Sequence, residues 1–299
     1  MNNLALIILC LLTGLALQRV RRLPENTAMS LNMYVIYVAL PALVLAEIPR
    51  LQMNAAAFLP VIFAWGLMGL SAAITWLVAR FFQWSRGVTG VLMLTVTLGN
   101  TGFVGIPLIE AHLGSHAIPY AILYDQLGTF LALNTIGVIM AVHYSSGQVS
   151  AGKLARSIFT FPPFLILLLA FPLSLVSLPL WFESSLDRVA ASLVPVVMVA
   201  VGLQWRMRLD REYLIPLAAG LLLMLMITPA IAWLTVKLTG VNGLVAQVIV
   251  LEAAMPAMIS ASVLAMSHNL APRLAAALTG YSLLASLFTV WLWRLLLTG

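Results

Sequence analysis

The 299-residue chain is 63% hydrophobic and only 8% charged, with a mean hydropathy of +1.07. Charged residues make up about a quarter of an ordinary soluble domain, so these values exclude one and describe a polytopic membrane protein. The net charge of +6 does not call for a nucleic-acid partner, because the basic residues are dispersed among short loops, and the single cysteine, Cys10, excludes disulfides.

A membrane span needs about 20 apolar residues. Breaks at charged or turn-rich clusters predict ten spans: Asn3–Gln18, Ala28–Ile48, Ala56–Phe82, Val88–Glu110, His116–His143, Ser157–Leu178, Leu186–Trp205, Leu214–Thr235, Gly243–Met266 and Arg273–Leu297. The leading apolar run, Leu4 to Leu17, lacks a basic start and a cleavage site, so it reads as the first span and not as a signal peptide. The expected fold class is an all-α integral membrane protein.

Loops after odd-numbered spans hold eleven basic residues: Arg19, Arg21, Arg22, Arg80, Arg86, Lys153, Arg156, Arg206, Arg208, Arg211 and Arg273. Loops after even-numbered spans hold three, Arg50, Arg188 and Lys237, while Arg294 lies near the C-terminus. Cytoplasmic loops carry the excess of Lys and Arg. The expectation is a multi-pass protein of the cell inner (plasma) membrane, surrounded by membrane lipid, with both termini on the non-cytoplasmic side.

The two halves echo each other. Pro41, Pro107 and Pro119 are matched by Pro195, Pro256 and Pro272 at offsets of 154, 149 and 153 residues, each near half the chain. Five spans per half is an odd number, so the second copy, 151–299, must be inverted relative to the first, 1–150. Inverted repeats are characteristic of transporters that work by alternating access. Chance matching among fifteen prolines is the plain alternative.

Within the fourth span, Gly99 to Leu108 reads GNTGFVGIPL. Such a sequence breaks a helix where no water is present to satisfy the freed backbone, which is tolerated only where the break is buried in protein or lines a cavity. A proline kink serving only packing is the blander reading. Proline suits the first turn of a helix, so Pro107 is expected to start a second half-helix. The ninth span contains LEAAMPAMISASV, in which Pro256 is expected to do the same. Two half-helix N-termini would then aim N–H groups at one place and form an anion site. The small residues Gly102, Gly105, Ala253, Ala254 and Ser260 would let the two segments cross closely.

Two acids lie deep in spans, Asp125 and Glu252, each roughly 13 Å in at the helical rise. A buried carboxylate is costly unless a cation or strong donors accompany it, so either could carry a proton or ligate Na⁺. The alternative is a structural acid bonded to a neighbouring helix, which the polar neighbours Tyr124 and Gln126 favour for Asp125. Asn134, Thr135, Ser260 and Ser262 could line a path or serve as interhelical glue. His112 and His116, four residues apart, are expected in an outer loop and not together on one helix, so no metal site is expected from them. Trp84, Trp181, Trp205 and Trp291 look like interfacial anchors, and the fourteen methionines read as flexible packing.

NTGFVGIPL in the fourth span, followed by AAMPA in the ninth, resembles the auxin efflux carrier family, as do VALPAL at Val38–Leu43 and VPVVMVAVGLQ at Val194–Gln204. That family includes plant PIN-type carriers and bacterial carriers of organic acids. The resemblance implies two inverted five-helix repeats with broken, crossed fourth and ninth helices, a fold shared with bile acid:sodium symporters. Spans one, two, six and seven would form a scaffold domain, and spans three to five and eight to ten a transport domain. Homodimers occur among relatives of the fold.

Asn100 matches the family asparagine that contributes to the substrate site in PIN-type carriers, and Pro107 and Pro256 match the crossover prolines. Glu252 departs from the plant carriers, which have glutamine here, and looks like the symporter glutamate that helps bind Na⁺. The short loop from Tyr144 to Arg156 resembles bacterial members.

The expected function is secondary transport of a small organic anion, auxin-like or malonate-like. Asn100, Thr101, Gly102, Gly105, Pro107, Pro256 and Ser260 would hold the substrate. Glu252 and Asp125 would take the coupling ion, Na⁺ or H⁺. The alternative is a sensing membrane protein that binds the anion without moving it. No nucleophile–base pair points to an enzyme, and no catalytic residue, cofactor or structural metal is expected beyond Na⁺ at Glu252.

Overall fold

The computed structural model describes residues 2–20, 22–24, 26–51, 55–145, 152, 156, 159–176, 178–205 and 211–298. Arg21, Lys153, Arg206 and Arg208, four of the residues behind the expected orientation, lie outside this set, as does Ser157, the expected start of the sixth span. Among the described residues every regular element is a helix, and none is a strand.

In chain order the helices are α1 (Asn2–Leu17), α2 (Thr27–Glu47), α3 (Leu59–Phe81), α4 (Arg86–Thr97), α5 (Thr101–Leu113) and α6 (Ser115–Tyr144). They continue with α7 (Pro162–Leu173), α8 (Leu180–Gln204), α9 (Arg211–Leu238), α10 (Gly243–Ala253), α11 (Ile259–Ser267) and α12 (Pro272–Thr298). Six of them, α2, α3, α6, α8, α9 and α12, are long and apolar enough to cross a membrane. Helix α8 starts at Leu180, earlier than the expected Leu186, because Leu180–Ala190 is itself α-helical ahead of the apolar Leu193–Gln204. His112 is also not in a loop. It lies buried on the last turn of α5, where its carbonyl accepts from Arg294 Nε at 3.0 Å.

Several helices widen into a π turn that ends just before a proline: Val35–Ala39 before Pro41, Thr101–Gly105 before Pro107, and Leu223–Ile227 before Pro229. Proline has no N–H and its ring crowds the carbonyl four residues back, so a wider turn relieves both faults. In α9 the carbonyl that Pro229 leaves without a helical partner is that of Leu225. The buried indole of Trp293 donates to it at 3.0 Å.

Helices α1 and α8 meet at Gly14 and Gly202. A Cβ on Gly14 would lie 2.3 Å from the carbonyl oxygen of Val199, and one on Gly202 would lie 2.4 Å from that of Leu11. Without a side chain at either position, the two backbones pack almost in contact. Gln18 Nε2 closes the same pair by donating to the carbonyls of Gly202 and Trp205 at 2.7 and 2.8 Å. Beyond the α2 end, Arg50 forks onto Asp187 of α8 at 2.9 and 3.0 Å.

The buried apolar side chains form two clusters that divide at the breaks. Val104, Ile106 and Ile109 of α5 share one with Val248 to Leu251 of α10 and with Leu11, Val44, Leu167 and Val197. Val91, Leu92 and Leu94 of α4 share the other with Ala257, Ala261 and Ala265 around α11 and with Leu274 and Leu278. The outer surface is itself apolar, with Leu9, Ile62, Leu77, Phe81 and Phe288 all more than half exposed. Such a surface is a liability in water and is at home in lipid.

Candidate functional site

Between α4 and α5 the chain leaves the helix at Leu98, and between α10 and α11 it does so from Ala254 to Met258. The two interruptions pair with each other. Asn100 N–H donates to the Pro256 carbonyl at 2.7 Å, and Met258 N–H donates to the Leu98 carbonyl at 3.0 Å, around an antiparallel bridge between Gly99 and Ala257. Ser282 Oγ, fully buried on α12, accepts from Ala257 N–H at 3.0 Å. Backbone groups freed by each break are thus spent largely on the other one.

The half-helix starts differ from expectation. Helix α5 begins at Thr101, six residues before Pro107, and Asn100 caps it: Oδ1 accepts from Phe103 N–H at 3.2 Å. Asparagine is among the best N-cap residues, and this local rule outweighs the preference of proline for a first turn. Pro107 lies buried inside α5, away from the cavities described below. Pro256 lies in the break, and α11 starts at Ile259 with Met258 in extended conformation before it.

Three spaces meet here. A cavity of about 220 Å³ is lined by Asn100, Gly102, Asp125, Gln126, Asn134 and Ser260, with Ile36, Leu40, Phe103, Phe130 and Phe161 as apolar walls. A second, of about 400 Å³, is lined by Asn100, Pro256, Ser262 and Thr279 together with Gln204 and Trp205 at the end of α8. Asn100 and Ile259 line both, so the paired breaks stand between the two. Trp205 is therefore a cavity residue and not only an interfacial anchor.

The third space is about 20 Å³, lined by Thr97, Gly99, Thr101, Thr129 and Glu252. That volume suffices for one water or one ion. Glu252 is 1% exposed, and neither of its carboxylate oxygens has a hydrogen-bond partner, nor does the buried Oγ1 of Thr97. Buried polar groups without partners are rare and ask for an explanation.

Asp125 is satisfied where Glu252 is not. Thr101 Oγ1 donates to its Oδ1 and Gln126 Nε2 to its Oδ2, both at 2.6 Å. The two carboxylates lie against successive turns of α5 through missing side chains. A Cβ on Gly102 would lie 2.9 Å from Asp125 Oδ2, and one on Gly105 would lie 2.3 Å from Glu252 Oε2. Gly105 thus shapes the seat of Glu252 and does not line either larger cavity.

The structure brings Asn100, Gly102, Asp125 and Ser260 to one cavity and Thr101 and Glu252 to another, and leaves Pro107 apart. Ser262 bonds Thr279 at 2.6 Å as interhelical glue. Ser282 and Thr97 were not among the sequence candidates. A serine within YSLLAS and a threonine within TVTLG carry no signal of their own; contact across the bundle is what gives them a role.

The family model described as membrane transport protein matches residues 1–294. An uncharacterized transporter of Methanothermobacter thermautotrophicus is 31% identical over 296 residues, covering 97% of this chain and 96% of that protein. An uncharacterized transporter of Methanocaldococcus jannaschii is 24% identical over 308 residues, covering 98% and 97%. With the motifs at Asn100 and Pro256 in place, the chain belongs to the membrane transport protein family, the auxin efflux carrier family that its sequence resembles.

Proposed function

We propose that the protein is a secondary transporter that moves a small organic anion, a carboxylate, across the membrane by alternating access. One observation carries this reading: the pairing of Gly99 with Ala257 sets the starts of α5 and α11 beside a single cavity at Asn100 and Ser260. The first N–H groups of a helix have no partner within it, and its dipole favours negative charge there. A carboxylate is the natural occupant.

Ten spans follow when the six long helices are joined by α1, α7 and the two broken pairs α4–α5 and α10–α11. The antiparallel pairing of the breaks is the relation that two inverted repeats, 1–150 and 151–299, would produce. The close Gly14–Gly202 contact suits a rigid scaffold of α1, α2, α7 and α8. The other helices would then move, carrying the paired breaks between the two larger cavities. Both termini would face away from the cytoplasm of a plasma-membrane protein.

Glu252 is the coupling residue in this reading. Its unpartnered carboxylate, the Thr97 and Thr101 hydroxyls and the backbone at Gly99 offer oxygen ligands to Na⁺ around a space of one-ion size. A proton on the carboxyl would serve the same purpose. Uptake of radiolabelled mono- and dicarboxylates into proteoliposomes, with and without Na⁺ and pH gradients, tests the whole proposal. Saturable uptake is expected; binding without uptake would leave a sensor on a transporter fold.

A further inference from the structure

The corner between α3 and α4 reads ARFFQWSRG, from Ala79 to Gly87. Helix α3 ends there through a left-handed residue, Gln83 at φ +54°. Gln83 N–H donates to the Arg80 carbonyl at 3.2 Å, and Trp84 N–H donates to that of Ala79 at 3.1 Å. This closure satisfies the last carbonyls of α3 and turns the chain back on itself. It sets Arg80, on the last turn of α3, and Arg86, the first residue of α4, on one opening of about 410 Å³. Trp76 and Trp84 wall that opening, with Tyr144 from the end of α6.

Arg80 and Arg86 are both exposed, and neither forms an ion pair among the described residues. The guanidinium carbon of Arg80 sits 5.4 Å from the centre of the Trp76 ring, and Arg86 gives one N–H to the His143 carbonyl. A guanidinium has five N–H groups, so most of these donors remain. No carboxylate lines the opening among the described residues; Glu212 lines a separate space that shares only Trp84 with it. The surface beside it is apolar. Leu77 and Phe81 are 57% and 81% exposed, and Phe82 stacks on Trp84 at 5.2 Å. Arginine and tryptophan at the end of a membrane helix lie at headgroup depth, with the apolar residues next to them among the acyl chains.

We propose that this corner binds one anionic phospholipid: Arg80 and Arg86 hold the headgroup phosphate, and the acyl chains lie along Leu77 and Phe81. Two cations without a facing carboxylate favour a lipid of net negative charge and repel a headgroup that carries its own ammonium. A soluble phosphate ester would meet the same arginines but leave the apolar side of the site uncovered. In the orientation proposed above, the corner faces the cytoplasmic leaflet, whose surface is negative. The bound lipid ties α3, α4 and α6 together at the opposite end of α4 from the paired breaks, and so stabilises the folded chain.

The test uses the full chain in detergent, titrated with phosphatidylglycerol or with phosphatidylcholine of the same chain length, bound lipids being counted by native mass spectrometry. Phosphatidylglycerol should bind the wild type about tenfold tighter than phosphatidylcholine. Arg80→Gln should lower that preference about fivefold, the usual weight of one basic residue beside an anionic surface. Arg19→Gln, which removes an exposed arginine beyond the end of α1, should leave it unchanged. Equal affinity for the two lipids in the wild type would overturn the inference, whether or not a variant folds. So would a preference that a folded Arg80→Gln keeps in full, or one that Arg19→Gln lowers as much, since net charge alone would then account for it. Glycerol 3-phosphate supplies the phosphate without the chains. If it raises the thermal unfolding midpoint as far as phosphatidylglycerol does, the corner holds a soluble anion and the lipid assignment fails.

Discussion

Gly105 and Glu252 share a space with no room for a methyl group: a Cβ on Gly105 would lie 2.3 Å from Glu252 Oε2. The carboxylate is thereby seated against the backbone of α5, on the last turn of α10, beside the 20 Å³ cavity. Gly105→Ala must push the carboxylate away, and overpacking of this kind costs about 1–3 kcal/mol. Gradient-driven uptake should fall at least tenfold in this variant. Gly66→Ala on α3, where nothing lies within 4 Å of the new methyl, should transport normally. Equal uptake by the two variants would dissociate Gly105 from coupling.

Asn100 serves two ends, as the cap of α5 and as a wall of both large cavities. Asn100→Ala should abolish carboxylate binding and lower stability by about 1 kcal/mol, the usual value of an N-cap. Asn100→Asp keeps a capping oxygen but adds negative charge where the anion would sit. It should restore thermal stability without restoring binding. A folded Asn100→Ala that binds the anion with wild-type affinity would sink the site assignment.

Glu252→Gln keeps the shape of the side chain and removes its charge. Uptake by this variant should lose its dependence on the Na⁺ or proton gradient, while anion binding persists within about threefold, since α5 and α11 are untouched. Flux that still follows either gradient would show that the coupling residue lies elsewhere. Parallel measurement at several pH values and Na⁺ concentrations separates the two ions.

The contact of α1 with α8 admits no side chain at Gly14, where the carbonyl of Val199 stands 2.3 Å from a Cβ. Gly14→Val should separate the two helices and destabilise the protein by more than the roughly 1–3 kcal/mol of ordinary overpacking, because backbone cannot yield as a side-chain tip does. Thermal unfolding in detergent should show a clear drop in midpoint. An unchanged midpoint would mean that this contact does not hold the two helices together.

Much of this was legible along the chain. The GNTGFVGIPL and AMPAM stretches marked both interruptions, because glycine, asparagine and proline disturb a helix by local chemistry alone. Asp125 and Glu252 stood out because charge within an apolar run is expensive. The start of α5 was misplaced at Pro107, since proline and an asparagine cap are competing local signals and sequence does not rank them. In the structure the cap prevails and Pro107 follows a π turn.

By itself the sequence determined that the chain lies in a membrane, roughly where its helices run, and that two of them are interrupted. Those properties depend on residues close together in the chain and on the cost of exposing polar backbone to lipid. The folded chain alone decided that Leu98 to Asn100 pairs with Pro256 to Met258, that Ser282 braces the pair, and that Gln126 and Glu252 keep unpartnered oxygens. Pairing between Gly99 and Ala257, 158 residues apart, is set by how all the helices pack, and no local preference encodes it.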